Sequence, residues 1–328
     1  MKAVYIANFG EVEGLETRKV PDPPKPKGKE VLVRVRAAGL NRADLLQVRG
    51  LYPPPAGYSP NIPGLEFAGE ITAVGDNVKK WTVGDRVFGI TAGEAQAEFV
   101  LTESSVLARI PENLTFAEAA AVPEAFITAH DAIFTNGALK TGETLLVHAV
   151  GSGVGLAALQ LAKAKGASVI GTSRTADKLD RCSELGLDTG ILTDGSSDFL
   201  TIVKEKTRGR GVDVILDLVG AAYFTQNLAS LALKGRLILV GLTSGRTAEF
   251  NLGLALQKRA KIIGTVLRAR STDEKADATR GFADEVVPLL ESGTIKPNLD
   301  RVFPAEEVVA AYKYLESNES FGKVVLNF

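Results

Sequence analysis

The sequence predicts an α/β protein in which a compact β domain precedes a doubly wound parallel sheet. Three observations predict it. From residue 144 onward, short apolar strands alternate with helix-period segments, the pattern of a parallel sheet covered on both faces. The first of these strands runs into a glycine-rich turn, Gly151-Ser152-Gly153-Val154-Gly155. The first third of the chain instead shows alternating valines and short strands separated by glycine turns.

Taken in order, Val31, Val33 and Val35 alternate with Leu32, Arg34 and Arg36, which is the period of a half-buried strand. Ahead of them, Val20-Pro21-Asp22-Pro23-Pro24-Lys25-Pro26 excludes helix and central strand and reads as a surface loop. Residues 51–63 hold prolines at 53, 54, 55, 60 and 63 and form a second extended loop. Gly75-Asp76-Asn77 and Gly84-Asp85 separate the strands that follow. Thr115 with Glu118 has the spacing of a capping box and opens the helical part. Strands are then expected at 144–149, 167–172, 212–219, 236–241 and 262–267, with helices at 155–165 and 176–185, the latter ended by Gly186. In the tail, Phe282, Val286, Leu289 and Leu290 mark one helical face, and Val308, Val309, Tyr312 and Leu315 another. The strand-like Lys323-Val324-Val325-Leu326 suggests that the chain ends by rejoining the first domain.

Composition narrows the function classes. At roughly one domain per 150 residues, 328 residues suggest two domains. Lys plus Arg is 38 and Asp plus Glu is 39, a net charge of −1, which argues against an electrostatic nucleic-acid binder. One Cys excludes an intrachain disulfide and any zinc site with two thiolates, and two His exclude a three-histidine site. Residues 1–10 lack the apolar core of a secretory signal. Residues 144–162 carry no Asp, Glu, Lys or Arg, but their glycines divide them into strand, turn and helix rather than a membrane span. A cytoplasmic protein is expected.

The glycine turn joins a strand to a helix, where a dinucleotide pyrophosphate would meet free N–H groups and the positive end of the helix dipole. Leu156 stands where the last glycine of G-x-G-x-x-G would fall, and a tight β-α turn in any doubly wound sheet could use the same glycines. The next strand ends in Gly171-Thr172-Ser173-Arg174, with no acid to hold a ribose 2′-OH. Ser173, Arg174 and Lys178 could hold a 2′-phosphate by charge-assisted hydrogen bonds, which predicts NADPH as cofactor.

Five motifs spread over the chain are Ala38-Gly39-Leu40-Asn41-Arg42-Ala43-Asp44, Gly64-Leu65-Glu66-Phe67-Ala68-Gly69, Val83-Gly84-Asp85-Arg86-Val87, Ser152-Gly153-Val154-Gly155 and Gly322-Lys323-Val324-Val325-Leu326. With them the chain resembles the zinc-free medium-chain dehydrogenases/reductases of the quinone oxidoreductase (zeta-crystallin-like) family. Arg49-Gly50-Leu51-Tyr52-Pro53-Pro54-Pro55 and Leu267-Arg268-Ala269-Arg270 look most similar to its tumour-suppressor-inducible subgroup. The resemblance implies a GroES-like β domain over 1–122, completed by 267–328, and a Rossmann domain over 123–266, with the active site in the cleft between them.

The resemblance also implies site residues. Asn41 and Thr128 would lie near the nicotinamide, and Gly241 and Leu267 on its side of the site; Ser152, Gly153 and Val154 would hold phosphate. Asn41 would hydrogen-bond an acceptor oxygen. Tyr52, on the proline-rich loop, would donate to the substrate carbonyl or supply a proton, or else pack against the prolines. The catalytic metal ligands of related zinc enzymes fall on Asn41, Leu65 and Glu124, so zinc-bound alkoxide chemistry is not expected. His148 reads as a satisfied buried histidine, His130 as a packed one and Cys182 as a packing residue. Three departures from the family pattern stand out: Leu192-Thr193 replaces an Asn-Tyr pair, Glu94-Ala95-Gln96-Ala97-Glu98 replaces a glycine-rich turn, and Val150 lies in the phosphate turn. The implied activity is hydride transfer from NADPH to a quinone. Alternatives are reduction of an enone or enoyl thioester, or NADPH binding without catalysis. The expected partners are a small-molecule acceptor and a second copy of the chain, as a homodimer or tetramer, with no nucleic acid and no membrane.

Overall fold

A computed structural model describes residues 1–193 and 198–328. The chain divides into two compact units, Met1–Ile127 with Leu267–Phe328, and Thr128–Val266. The division falls inside the helix Pro123–His130, whereas the sequence expectation placed it at the start of that segment.

The first unit is built on a seven-stranded sheet. Its path runs Leu299–Pro304, Lys323–Asn327, Glu30–Gly39, Glu66–Val74, Arg86–Ile90 and Leu107–Arg109, and Phe99–Glu103 also pairs with Glu30–Gly39. Val31, Val33 and Val35 are buried, as the alternation predicts, and pack with Phe67, Ile71, Trp81 and Val87. The last strand does rejoin this sheet, antiparallel to Glu30–Gly39 with Val325 opposite Gly39. Thr115 caps the helix Phe116–Ala120: its hydroxyl accepts the Glu118 amide while the Glu118 carboxylate accepts the Thr115 amide. The face read as one helix through Leu290 is divided into Thr272–Glu285 and Val287–Glu291. Pro288 is the cause, because it has no N–H to donate and its ring would collide with the carbonyl one turn back.

Among the described residues the second unit holds six parallel strands, in the order Thr189–Leu192, Ser168–Ser173, Thr144–Val147, Val212–Asp217, Leu231–Leu239, Lys261–Gly264. In chain order this is 3-2-1-4-5-6, the Rossmann arrangement, whose switch point lies between the first and fourth strands. Leu146, Ile170, Ile191, Ile215 and Leu237 carry its core, with Phe199 and Leu228 from the covering helices. The helix after the glycine turn spans Gly153–Ala164 and begins two residues earlier than expected, because Ser152 caps it by accepting the Gly155 amide. The strand expected over 212–219 stops at Asp217, whose carboxylate accepts the amides of Val219 and Gly220 and turns the chain. The strand expected from 236 begins at Leu231, and the one expected over 262–267 ends at Gly264. Among the described residues no helix is long and apolar enough to cross a membrane.

Candidate active site

In the parallel sheet, the expected cofactor residues collect at the carboxyl ends of the strands. Thr144–Val147 leads into the glycine turn, where Ala149 takes a left-handed φ of 50°. A Cβ on Gly155 would lie 2.5 Å from the Ala149 carbonyl oxygen and 2.6 Å from that of Val150, so only glycine lets the helix start this close to the turn. Of the four amides that open a helix without intrahelical partners, that of Ser152 donates to Ala149 O and that of Gly155 to Ser152 Oγ. Among the described residues the Gly153 and Val154 amides meet no acceptor, which leaves them for an external one. Both residues are half-buried, and the first turn carries no acidic side chain. The aliphatic stem of Lys178 lies over Gly151, where an added Cβ would meet it at 3.0 Å.

Ser173 ends the second strand, buried, and Arg174 follows it, exposed. Gly241 follows the fifth strand; its amide donates to Asp217 O at 3.1 Å, and a Cβ there would lie 2.6 Å from Leu218 O. Ser152, Gly153, Val154, Ser173, Arg174, Lys178 and Gly241 therefore share one edge of the sheet. Small residues, two unpaired helix-start amides and two cations fit a dinucleotide there.

His148 sits at the same edge and is fully buried. Asn227 Nδ2 donates to Asp217 Oδ2 at 2.9 Å, so Asn227 Oδ1 faces His148 Nε2 at 2.6 Å. That assigns the proton to Nε2 and leaves Nδ1 to accept from Thr172 Oγ1 at 3.0 Å. Burial lowers its pKa, against the pull of Asp217 and Asn227. It is the satisfied histidine expected from the sequence. Cys182 is buried as well, and burial pushes its thiol up to about 12.

Asn41, Tyr52 and Leu267 belong to the first unit; Thr128, half-buried, lies one turn after Glu124 on the helix Pro123–His130. Asn41 precedes the helix Arg42–Val48. Its Nδ2 donates to Glu66 Oε1 at 2.9 Å, and its Oδ1 accepts Lys323 Nζ at 2.6 Å. Only this amide orientation satisfies both partners, and it leaves a second Nδ2 hydrogen. Glu66 Oε2 accepts the Glu124 amide at 2.8 Å. The Glu66–Lys323 pair thus fastens both Asn41 and the first turn of the helix Pro123–His130. Glu124 is half-buried; burial, with the Glu66 carboxylate beside it, pushes its carboxyl up to about 8.

Asp44 lies behind Asn41, fully buried, and accepts the amides of Asn41 and Gly64. Burial raises its carboxyl to about 6, against those hydrogen bonds. Gln96, from the segment that departs from the family pattern, donates to Asp44 and accepts from Tyr312. Tyr52 lies in the proline loop with the Arg268 guanidinium 5.0 Å from its ring centroid. Burial raises its phenol pKa, and the Arg268 charge opposes that. Leu267 is buried immediately before Arg268.

The sequence reading assigned no role to Glu66, Lys323, Asp44 or Arg268, and weighed Glu124 only as a lost metal ligand. One signal was available: Glu66 and Lys323 each adjoin apolar residues that are buried, a setting that a charge rarely takes without a partner.

The family model for the alcohol dehydrogenase GroES-like domain matches residues 27–131, and that for the zinc-binding dehydrogenase matches residues 153–282. The chain is 31% identical to human quinone oxidoreductase over 331 residues, covering 99% of this chain and 97% of that protein. The structure of Escherichia coli quinone oxidoreductase complexed with NADPH superimposes with a TM-score of 0.90 at 30% identity, covering all of both chains. That of the CurK enoyl reductase does so with a TM-score of 0.88 at 28% identity, covering 99% of this chain and 98% of that one. The chain belongs to the quinone oxidoreductase family of the medium-chain dehydrogenases/reductases.

Proposed function

We propose that this protein is an NADPH-dependent, zinc-independent quinone oxidoreductase of the cytoplasm. The observation that carries the reading is the carboxyl edge of the parallel sheet, where two helix-start amides open from the glycine turn, the Lys178 stem lies over that turn, and Arg174 follows the second strand, which ends without an acid. A 2′-phosphate suits such an edge better than a free 2′-OH. Full-length similarity to the human and Escherichia coli quinone oxidoreductases supports the acceptor class. Zinc independence is supported by Asn41, Leu65 and Glu124 at the family's ligand positions, and by the Lys323 ammonium 2.6 Å from Asn41 Oδ1, which would repel a divalent cation.

The bound nicotinamide would supply hydride. Ser152, Gly153 and Val154 would hold the pyrophosphate, with Ser173, Arg174 and Lys178 at the 2′-phosphate. Thr128, Gly241 and Leu267 would border the nicotinamide. Asn41, fixed by Glu66 and Lys323, would present its second Nδ2 hydrogen to the acceptor oxygen. Tyr52 would give a proton to the oxyanion formed as the acceptor takes hydride. A quinone needs little more, because its two-electron product is a stabilised oxyanion. The similarity to CurK favours a second reading, reduction of an enone or enoyl thioester on the same scaffold.

Self-association is supported by the edge strand Lys261–Gly264. Ile262 is exposed there, and Leu252 and Leu256 nearby are 68% and 77% exposed, so pairing with a second copy would cover both the strand edge and these side chains.

Steady-state assays with NADPH and NADH against quinones, enones and enoyl-CoA test the proposal. Turnover of quinones with NADPH is expected. Turnover of enoyl-CoA alone would replace it with the second reading, and tight NADPH binding with no turnover would remove the enzyme reading.

A further inference from the structure

Arg268 is 4% exposed, yet the three groups that its guanidinium donates to are neutral. Nε donates to Ala92 O at 2.8 Å, Nη1 to Tyr52 O at 2.9 Å and Nη2 to Gln47 Oε1 at 2.5 Å. Burial penalises its charge, and the buried Asp44 carboxyl, with Glu124, offsets part of that penalty, so the three directed hydrogen bonds of the fork are given to holding neutral groups in place.

Tyr52 begins the proline-rich loop, and Gln47 donates from its other side-chain atom, Nε2, to Pro60 O at 2.9 Å near the far end of that loop. One guanidinium therefore pins both ends of the loop, directly at Tyr52 and through Gln47 at Pro60. The same group lies 5.0 Å from the Tyr52 ring centroid, within cation–π range. Backbone and ring of Tyr52 are held by a single planar fork, an arrangement that the single ammonium of lysine cannot copy.

We propose that Arg268 is a positioning residue that sets the Tyr52 phenol for proton transfer to the reduced acceptor. This rests on the reading of Tyr52 as proton donor.

The test is a double-variant cycle of Arg268→Lys and Tyr52→Phe in the full chain, with NADPH and para-benzoquinone, reading kcat, KM for NADPH and the thermal midpoint. Arg268→Lys is expected to lower kcat by about tenfold or more while leaving KM for NADPH unchanged. In the Tyr52→Phe background the same change should leave kcat within about twofold but lower the thermal midpoint as much as before. Independent, multiplicative losses in kcat, or an unaltered kcat in Arg268→Lys beside an impaired Tyr52→Phe, would overturn the proposal and leave the Tyr52 reading standing. Full activity of Tyr52→Phe would overturn that reading and the proposal with it. If Arg268→Lys does not fold, Gln47→Met, which removes one acceptor of the fork and the donor to Pro60 O while keeping the guanidinium, carries the same expectations.

Discussion

Lys323 holds its ammonium 2.5 Å from the Glu66 carboxylate, with side-chain exposures of 6% and 0%. The other valences of the pair are also used: Lys323 Nζ donates to Leu40 O and Asn41 Oδ1, and Glu66 accepts from Asn41 and Glu124. Removing one partner leaves an uncompensated buried charge, which costs about 3–5 kcal/mol. Lys323→Met should therefore lose stability on that scale in denaturant unfolding. Glu66→Gln combined with Lys323→Met should recover part of the loss, since no charge is then stranded. A double variant no more stable than Lys323→Met would show that the pair is not the source of the cost.

Gly155→Ala should damage the glycine turn. The added Cβ would press on the carbonyls of Ala149 and Val150, and the helix start would have to move away from the turn. The Gly153 and Val154 amides move with it. NADPH affinity should fall by at least about tenfold, equivalent to 1.4 kcal/mol, in a fluorescence titration, while the first unit keeps its fold. Unchanged affinity would separate these amides from pyrophosphate binding.

The same glycines made the Rossmann unit legible. Five of its described strands are apolar runs bounded by glycine or polar turns and follow from local pattern, whereas the edge strand Thr189–Leu192, four residues long with only Ile191 buried, carries too little apolar pattern to be expected. Strand ends were harder to place. Leu231–Leu239 contains Lys234, at φ 64°, and Gly235, a pair that imitates a turn in sequence although the strand continues through it. The network around Asn41 was hidden for a different reason. Asn41, Glu66, Glu124 and Lys323 come from distant segments, and only sheet pairing such as Val325 opposite Gly39 brings Lys323 to Asn41. Local periodicity carries no information about that pairing. Asn41 was found through the resemblance, whereas the partners that orient it emerge from the three-dimensional arrangement.

Arg174 and Lys178 test the cofactor. Lys178 lies over Gly151, and Arg174 follows the strand end at Ser173. If both face a 2′-phosphate, Arg174→Ala with Lys178→Ala should raise KM for NADPH by about tenfold or more, because charge-assisted bonds contribute about 1.5–3 kcal/mol each. KM for NADH should change little. Equal losses for the two cofactors would mean that the phosphate is read elsewhere.

Glu124 gives a prediction with a definite sign. Burial and the neighbouring Glu66 carboxylate raise its carboxyl from 4.5 to about 8. Between those values the folded protein retains a proton that the unfolded chain has released. The stabilisation from protonated Glu124 is complete below pH 4.5 and is lost as pH rises through about 8. Glu124→Gln keeps a neutral side chain at every pH. The unfolding free energy of the unaltered protein minus that of Glu124→Gln should therefore fall as pH rises through this window, no more steeply than about 1.4 kcal/mol per pH unit. Urea unfolding of both proteins across pH 4.5 to 8 measures it, and taking the difference cancels groups common to the two. A difference that stays flat, or rises, would mean that Glu124 is ionised in the folded protein near neutral pH.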